Sequence, residues 1–299
     1  MAVLDTVADR QAEWSATANA LKATIDRART LVFALSIAGA VLAAIASQMN
    51  DPAPGTALAG NHRAWVAILA ALSLAIGTFF SQRLLGAGQV TAWVRARALA
   101  EALKREAYRF ATGAAPYNDP DAAKNEALLD QQRTVIERDG DDLEDQLVGA
   151  TGPGSAPRTA LTLEDYRSSR VIGQAKQYYR PAAKKYRQAA RRLRQLEFGL
   201  ALLATIFTAV AGVAGKSAPI FGIQLDFAAF TAVLTTLGGA ILAHIEASRY
   251  DFLAMTYTAT ARRLEDRCNA PVVSPSDFVN DCETVIANEN TSWIAKWTK

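Results

Sequence analysis

The sequence predicts an all-α integral membrane protein with two transmembrane helical hairpins and long amphipathic cytoplasmic helices. Three observations carry this. Four uncharged apolar blocks stand in the 299-residue chain, at about 31–47, 64–80, 198–215 and 227–245. Each pair is joined by a short loop rich in turn formers or short polar residues. At Glu197 charge is sorted along the helix axis: Lys and Arg crowd residues 179–196, and residues 198–215 carry no charge. A soluble amphipathic helix sorts charge by face instead, so this split marks a helix leaving water for lipid. Eighteen apolar residues give roughly 27 Å of helix, near the minimum for a bilayer.

The elements follow in order. Leu4, Val7, Trp14, Ala18, Leu21 and Ile25 recur at helical spacing, so Met1–Arg29 is a helix. The first span follows, then a loop over 48–63 with Asp51, Pro52, Pro54, Gly55 and Gly60, then the second span. Trp93–Phe110 is an amphipathic helix ended by Pro116. Asp119–Gly140 is another helix. The Gly/Pro/Ser-rich stretch from Gly149 reads as a linker, 149–161. Thr162-Leu-Glu-Asp165 is a capping signal, and Pro181 kinks or restarts the helix it begins. The third span, a loop over 216–226 and the fourth span come next. Glu246–Asn269 is amphipathic, and Ser274-Pro-Ser-Asp277 starts a last helix with Phe278, Cys282, Val285, Ile286, Trp293 and Trp297 on one face. The hairpins begin at Leu31 and Phe198, a period of 198 − 31 = 167 residues. That is a tandem duplication, with modules at 1–148 and 162–299.

Cations flank the spans on one side: Lys22, Arg27 and Arg29 before the first, Arg83, Arg95 and Arg97 after the second, the basic run before the third, and Arg249, Arg262 and Arg263 after the fourth. The short loops hold only Arg63 and Lys216. Both termini are therefore expected in the cytoplasm. The segment before Leu31 is too long and acidic for a signal peptide, so no cleavage at Ala44-Ile-Ala46 is expected.

Function classes narrow further. Net charge is only +3 from 32 basic and 29 acidic residues, so no nucleic-acid partner is expected. Cys268 and Cys282, with His62 and His244 far apart, make no metal cluster and are expected as free thiols. Gly212-Val-Ala-Gly215-Lys216-Ser217 ends like a P-loop, but Val210 stands where the first glycine belongs and an apolar helix replaces the strand. No catalytic constellation assembles, no cofactor is implied, and no enzyme is expected. Charged pairs such as Glu101 with Arg105 read as surface pairs. Asp226 and His244, at the ends of the fourth block, read as interfacial.

Three features remain as candidates. Small residues recur at fourfold spacing: Ala204, Thr208, Gly212; Thr231, Thr235, Gly239, Ala243; and Gly39, Ala43. With Thr205 they form a packing face, or line a water-filled path. The run Lys184, Lys185, Arg187, Arg191, Arg192 and Arg194 suits an anionic lipid surface. Trp293 and Trp297, four apart, are expected to dock the final helix onto the cytoplasmic bundle.

Trp93, Arg97, Glu101, Lys104, Tyr108 and Pro116-Tyr117 after the first hairpin resemble the bacterial SLATT family of two-transmembrane effector domains. So do Gln177-Tyr-Tyr179 before the second, Glu246-Ala-Ser-Arg-Tyr250 and Tyr257 after it, and Asn288-Glu-Asn290 to Trp297. The resemblance covers both halves, one SLATT-like module each. It implies a non-catalytic, oligomeric membrane effector of bacterial defence or conflict systems, in the inner membrane, forming pores or perturbing the bilayer, with a nucleotide-signalling or other defence partner. Two rivals stand beside it: a membrane scaffold that anchors cytoplasmic partners, and a soluble helical protein that inserts its apolar hairpins on activation.

Overall fold

The computed structural model describes residues 2–49, 61–150, 152, 154–215, 217–220 and 223–297; the side chains of 214, 217–225, 293, 294, 296 and 297 lie outside that description. In chain order the helices are α1 (Ala2–Gln48), α2 (His62–Leu84), α3 (Ala87–Ala111), α4 (Ala122–Arg138), the single turn α5 (Leu163–Asp165), α6 (Arg180–Ala214), α7 (Phe227–Ser248), α8 (Tyr250–Asn269) and α9 (Pro275–Trp297). Four of them hold stretches long and apolar enough to cross a membrane. The Met1–Arg29 helix and the first span are assigned to one helix, α1, of 47 residues. No Gly or Pro interrupts its first 37 residues.

Local signals place the ends. The Thr162 hydroxyl accepts from Asp165 N at 3.1 Å, Asp121 caps α4, and the Ser274 hydroxyl accepts from Asp277 N at 3.3 Å. Between α5 and α6 the chain is π-helical over Tyr166–Ile172 and Gln174–Tyr179, returning to α at Arg180 beside Pro181. Here i→i+5 bonding widens the turn beyond 3.6 residues. The buried residues follow the wider turn: Tyr166, Arg170, Ala175 and Tyr179 are spaced 4, 5 and 4. The fourth apolar block, α7, does not run straight into α8, because Arg249 is left-handed with φ 50°. The expected loop over 216–226 is instead an antiparallel hairpin, β1 (Ser217–Ile220) with β2 (Ile223–Asp226). Ile220, Ile223 and Leu225 suit extended backbone, and Phe221-Gly222, the connection, lies outside the described residues, as does most of the first loop.

The chain divides into two compact units, each built from both halves. The first comprises Met1–Ile25, Gly86–Lys185 and Phe252–Lys299. Its core holds Leu4, Trp14, Leu99, Leu103, Leu129, Tyr166, Tyr257, Leu264 and Val279. Gly140 is there because a Cβ would lie 2.5 Å from Leu99 and 2.8 Å from the Trp14 ring. The linker is tied down in this unit. The buried Gln11 carbonyl accepts from Ser155 N and Ala156 N at 3.1 and 3.2 Å, and Arg158 bonds Asp9 at 2.6 Å.

The second unit comprises Asp26–Leu85 and Tyr186–Asp251. Its two hairpins are packed differently. In the first, a Cβ on Gly39 would meet Leu74 Cγ at 2.7 Å and Ala70 O at 3.2 Å, so the glycine sets the α1–α2 approach. In the second, Gly212, Gly238 and Gly239 have nothing within 4 Å of such an atom. Asp226 caps α7, accepting from Ala229 N at 3.0 Å. His244 stacks on Phe33 with centroids 4.5 Å apart and lies 3.3 Å from the Tyr250 hydroxyl. Both have structural partners within this unit.

Gly39→Val should therefore destabilise the first hairpin by about 1–3 kcal/mol through overpacking. Gly239→Val should leave the melting of the detergent-solubilised monomer nearly unchanged. Equal losses for the two would show that the second hairpin closes as tightly as the first.

Candidate functional site

The first unit buries charge. Its residues reach one place because three helical faces converge. On α3, Arg97, Glu101, Lys104 and Tyr108 recur at intervals of 4, 3 and 4 on one face. The π-helical segment turns Tyr166, Arg170 and Tyr179 inward. On α9, Glu283 and Glu289 face the same interior.

At the centre, Arg170, 1 % exposed, makes a fork-to-fork pair with Glu283, which is 0 % exposed. Its Nε donates to Oε1 and its Nη2 to Oε2, both at 2.9 Å. The Tyr166 hydroxyl donates to Glu283 Oε1 at 3.0 Å. Arg170 also stacks over the Tyr108 ring at 4.7 Å and lies 3.8 Å from Glu101 Oε2. Arg97 Nη2 donates to Glu289 Oε1 at 3.2 Å. Tyr178 and Tyr257 share a hydroxyl contact at 3.3 Å.

Lys104 is the exception: 8 % exposed, it has no carboxylate within 4 Å among the described residues. Burial, and then the Arg170 charge, push its pKa down to about 8, against the pull of Glu101 and Glu283. Burial alone would raise the Glu101 pKa, but Lys104, Arg170 and Arg97 hold it below the ordinary carboxylate value. Burial and then Glu283 push Tyr166 up. Three cations, Arg97, Lys104 and Arg170, thus stand against three carboxylates, Glu101, Glu283 and Glu289.

This cluster corrects the sequence reading of Glu101 with Arg105 as a surface pair. Glu101 turns toward Arg170, while Arg105 Nε donates to Glu106 Oε1 at 2.9 Å. The available signal was charge on the apolar face of α3. Arg170, Glu283 and Glu289 carried none, since their partners lie more than a hundred residues away or on another helix. Cys268 and Cys282 are free thiols, and both are buried, with the Cys282 thiol pushed up to about 12 by burial and then by Cys268.

In the second unit, Thr205, Thr208, Thr231, Thr235 and Gly239 border one open groove of about 660 Å³ between α6 and α7. Thr208 and Thr231 approach to 3.5 Å across it. Gly212 is exposed and does not line it. The basic run divides between the units. Lys184 and Lys185 are exposed in the first; Arg187, Arg191, Arg192 and Arg194 are exposed in the second, where Arg194 pairs with Asp251. Trp293 and Trp297 lie on α9, but their side chains are outside the described residues. No group of three or more His, Cys, Asp and Glu that could hold a metal ion occurs among the described residues.

The cluster has a pH signature. Lys104 binds its proton below about pH 8 when folded and below about 10.4 when unfolded, so the unfolded state holds more protons between them and Lys104 adds stability as pH rises through that window. Cys282, raised to about 12, acts in the opposite sense. The comparison must therefore be with Lys104→Met. Its stability advantage over the parent in urea unfolding should shrink by about 2–3 kcal/mol from pH 7.5 to 10. A constant difference would place the lysine in solvent. Glu283→Gln should cost about 3–5 kcal/mol by stranding Arg170.

Residues 166–293 match the family model described as SMODS and SLOG-associating 2TM effector domain 1. Residues 12–125 match a separate model, a protein family of unknown function, DUF4231. No curated protein and no solved structure is a significant match to the chain. The matched region 166–293 contains two of the four apolar spans and the π-helical, α8 and α9 parts of the charged cluster. Taken with the four helices long and apolar enough to cross a membrane, the match describes a membrane protein whose residues 166–293 are similar to the SLATT two-transmembrane effector domains.

Proposed function

We propose that the protein is an oligomeric effector that permeabilises a bacterial inner membrane, with both termini in the cytoplasm and no catalytic activity of its own. The observation that carries this reading is the groove between α6 and α7: an opening of about 660 Å³ in an otherwise apolar hairpin, bordered by four threonine hydroxyls. Each hydroxyl bonds a backbone carbonyl of its own helix, at 2.8 to 3.0 Å. A threonine satisfied in this way tolerates lipid and still offers an oxygen to water. Only 6 to 17 % of each apolar window is buried within the chain, so most of the spanning surface is available to lipid or to other copies. Four spans are too few to enclose a channel, so several copies supply the wall, with the groove facing the path. The exposed basic run suits the anionic inner leaflet. The two halves act as tandem modules, the first extending the second. Trp293 and Trp297 dock α9 within the assembly, and a nucleotide-signalling or other defence partner supplies the trigger.

The effector description of the matched family favours this reading over a scaffold. Ion flux tests it. Purified chain reconstituted in vesicles of anionic lipid should release a trapped fluorescent dye. A variant with Thr205, Thr208, Thr231 and Thr235 all changed to Val should insert normally and lose most of that release. Parental release that equals protein-free vesicles leaves the scaffold; undiminished release from the Val variant moves the path away from the groove.

A further inference from the structure

A second feature of the charged cluster points to a ligand. Between α3 and α9 lies a pocket of about 120 Å³, bordered by Glu101, Arg105, Glu283, Ala287, Asn290 and Thr291. Two buried acceptor atoms on this border, Glu101 Oε2 and Asn290 Oδ1, have no hydrogen-bond partner. A buried polar atom left unpaired costs about 1–3 kcal/mol, and such atoms are few in native proteins. Here two of them come from opposite walls of one pocket, and both ask for a donor.

The charges narrow the donor's chemistry. Of the ionised groups on the border, Glu283 is engaged by Arg170 and Arg105 by Glu106. Arg170 Nη2, the nearest cationic nitrogen to Glu101, already bonds Glu283 and stays 3.8 Å away from Glu101. Glu101 is therefore the carboxylate with an oxygen to offer. Size narrows the chemistry again. At about 30 Å³ per water the pocket holds about four waters, or one group of about four heavy atoms. A guanidinium has that size, carries donors only, and presents them in a planar fork that can meet two acceptors at once.

We propose that the pocket between α3 and α9 binds a guanidinium group through Glu101 and Asn290. The group belongs either to a free small cation or to an arginine side chain of a partner. The site is independent of whether the protein permeabilises membranes. Lys104 sets its pH dependence: its ammonium faces Glu101 and Arg97 on α3, Arg170 on the π-helical segment and Glu283 on α9. Removing the lysine proton removes one of the three cations that compete for the Glu101 charge.

Calorimetry on the full chain in detergent tests the proposal. Methylguanidinium chloride should give saturable heat, and tetramethylammonium chloride, which has no N–H donor, should not. Glu101→Gln should weaken binding about tenfold or more. Ala287→Leu, which fills the pocket and removes no polar group, should abolish it at an unchanged elution profile. Binding should tighten from pH 7 to 9. A short capped peptide with one arginine then separates the sources: competition with methylguanidinium identifies a partner's side chain, and its absence a free cation. Heat that does not saturate, that survives Glu101→Gln and Ala287→Leu, or that tetramethylammonium reproduces, would mean that water alone fills the pocket.

Discussion

The pairing of Arg170 with Glu283 organises the first unit. Both are buried, and both oxygens of the carboxylate and two nitrogens of the guanidinium are used. Moving two such charges out of water is costly, and their attraction repays it only in good geometry. Each neighbour contributes to that geometry. Tyr166 adds a donor to Glu283, Tyr108 gives Arg170 a ring face, and Glu101 adds a second carboxylate at longer range. The π-helical backbone belongs to the same constraint. An α-helical turn would separate Tyr166, Arg170, Ala175 and Tyr179 around the helix; the wider turn keeps all four on the interior side. Such wide turns recur at functional sites, and this one carries the central arginine.

Each compact unit takes segments from both halves of the sequence. In the first, Gln11 and Arg158 join α1 to the stretch after α4, and Arg97 and Glu289 join α3 to α9. A Gly/Pro/Ser-rich composition suggested a free connector at 149–161. Buried Gln11 shows how such a stretch is ordered: one side-chain carbonyl satisfies two consecutive backbone donors. Composition reports the lack of a packed core within the segment and is silent about a partner elsewhere.

Sequence made the fold legible where signals are local. Spans, caps at Thr162 and Ser274, and the restart near Pro181 rest on residues within a few positions of one another. The charged cluster was half legible. Arg97, Glu101, Lys104 and Tyr108 stand on one helical face, but their spacing alone cannot tell a solvated stripe from a buried one. Partners at Arg170, Glu283 and Glu289 decide that, and they are set by tertiary packing. The β-hairpin at 217–226 was missed because a four-residue strand offers too few alternations to register as one. In the groove, the fourfold rows did pick out Thr208, Thr231, Thr235 and Gly239, with Thr205 beside them. Period alone could not show that the groove stops short of Gly212, in the same row.

The two hairpins differ in a way that bears on assembly. Inside a bilayer, apolar surface gains little by leaving lipid, so helices associate through close backbone approach and side-chain hydrogen bonds. At Gly39 the first hairpin uses that approach within the chain, with Leu74 filling the space a side chain would need. At Gly238 and Gly239 the second hairpin leaves it unused. Glycine in a helix interior costs roughly 1 kcal/mol relative to alanine, and Gly239, exposed on α7, gains no close approach inside the chain in return. On the proposed function, that open face beside the groove is where a helix of another copy would pack.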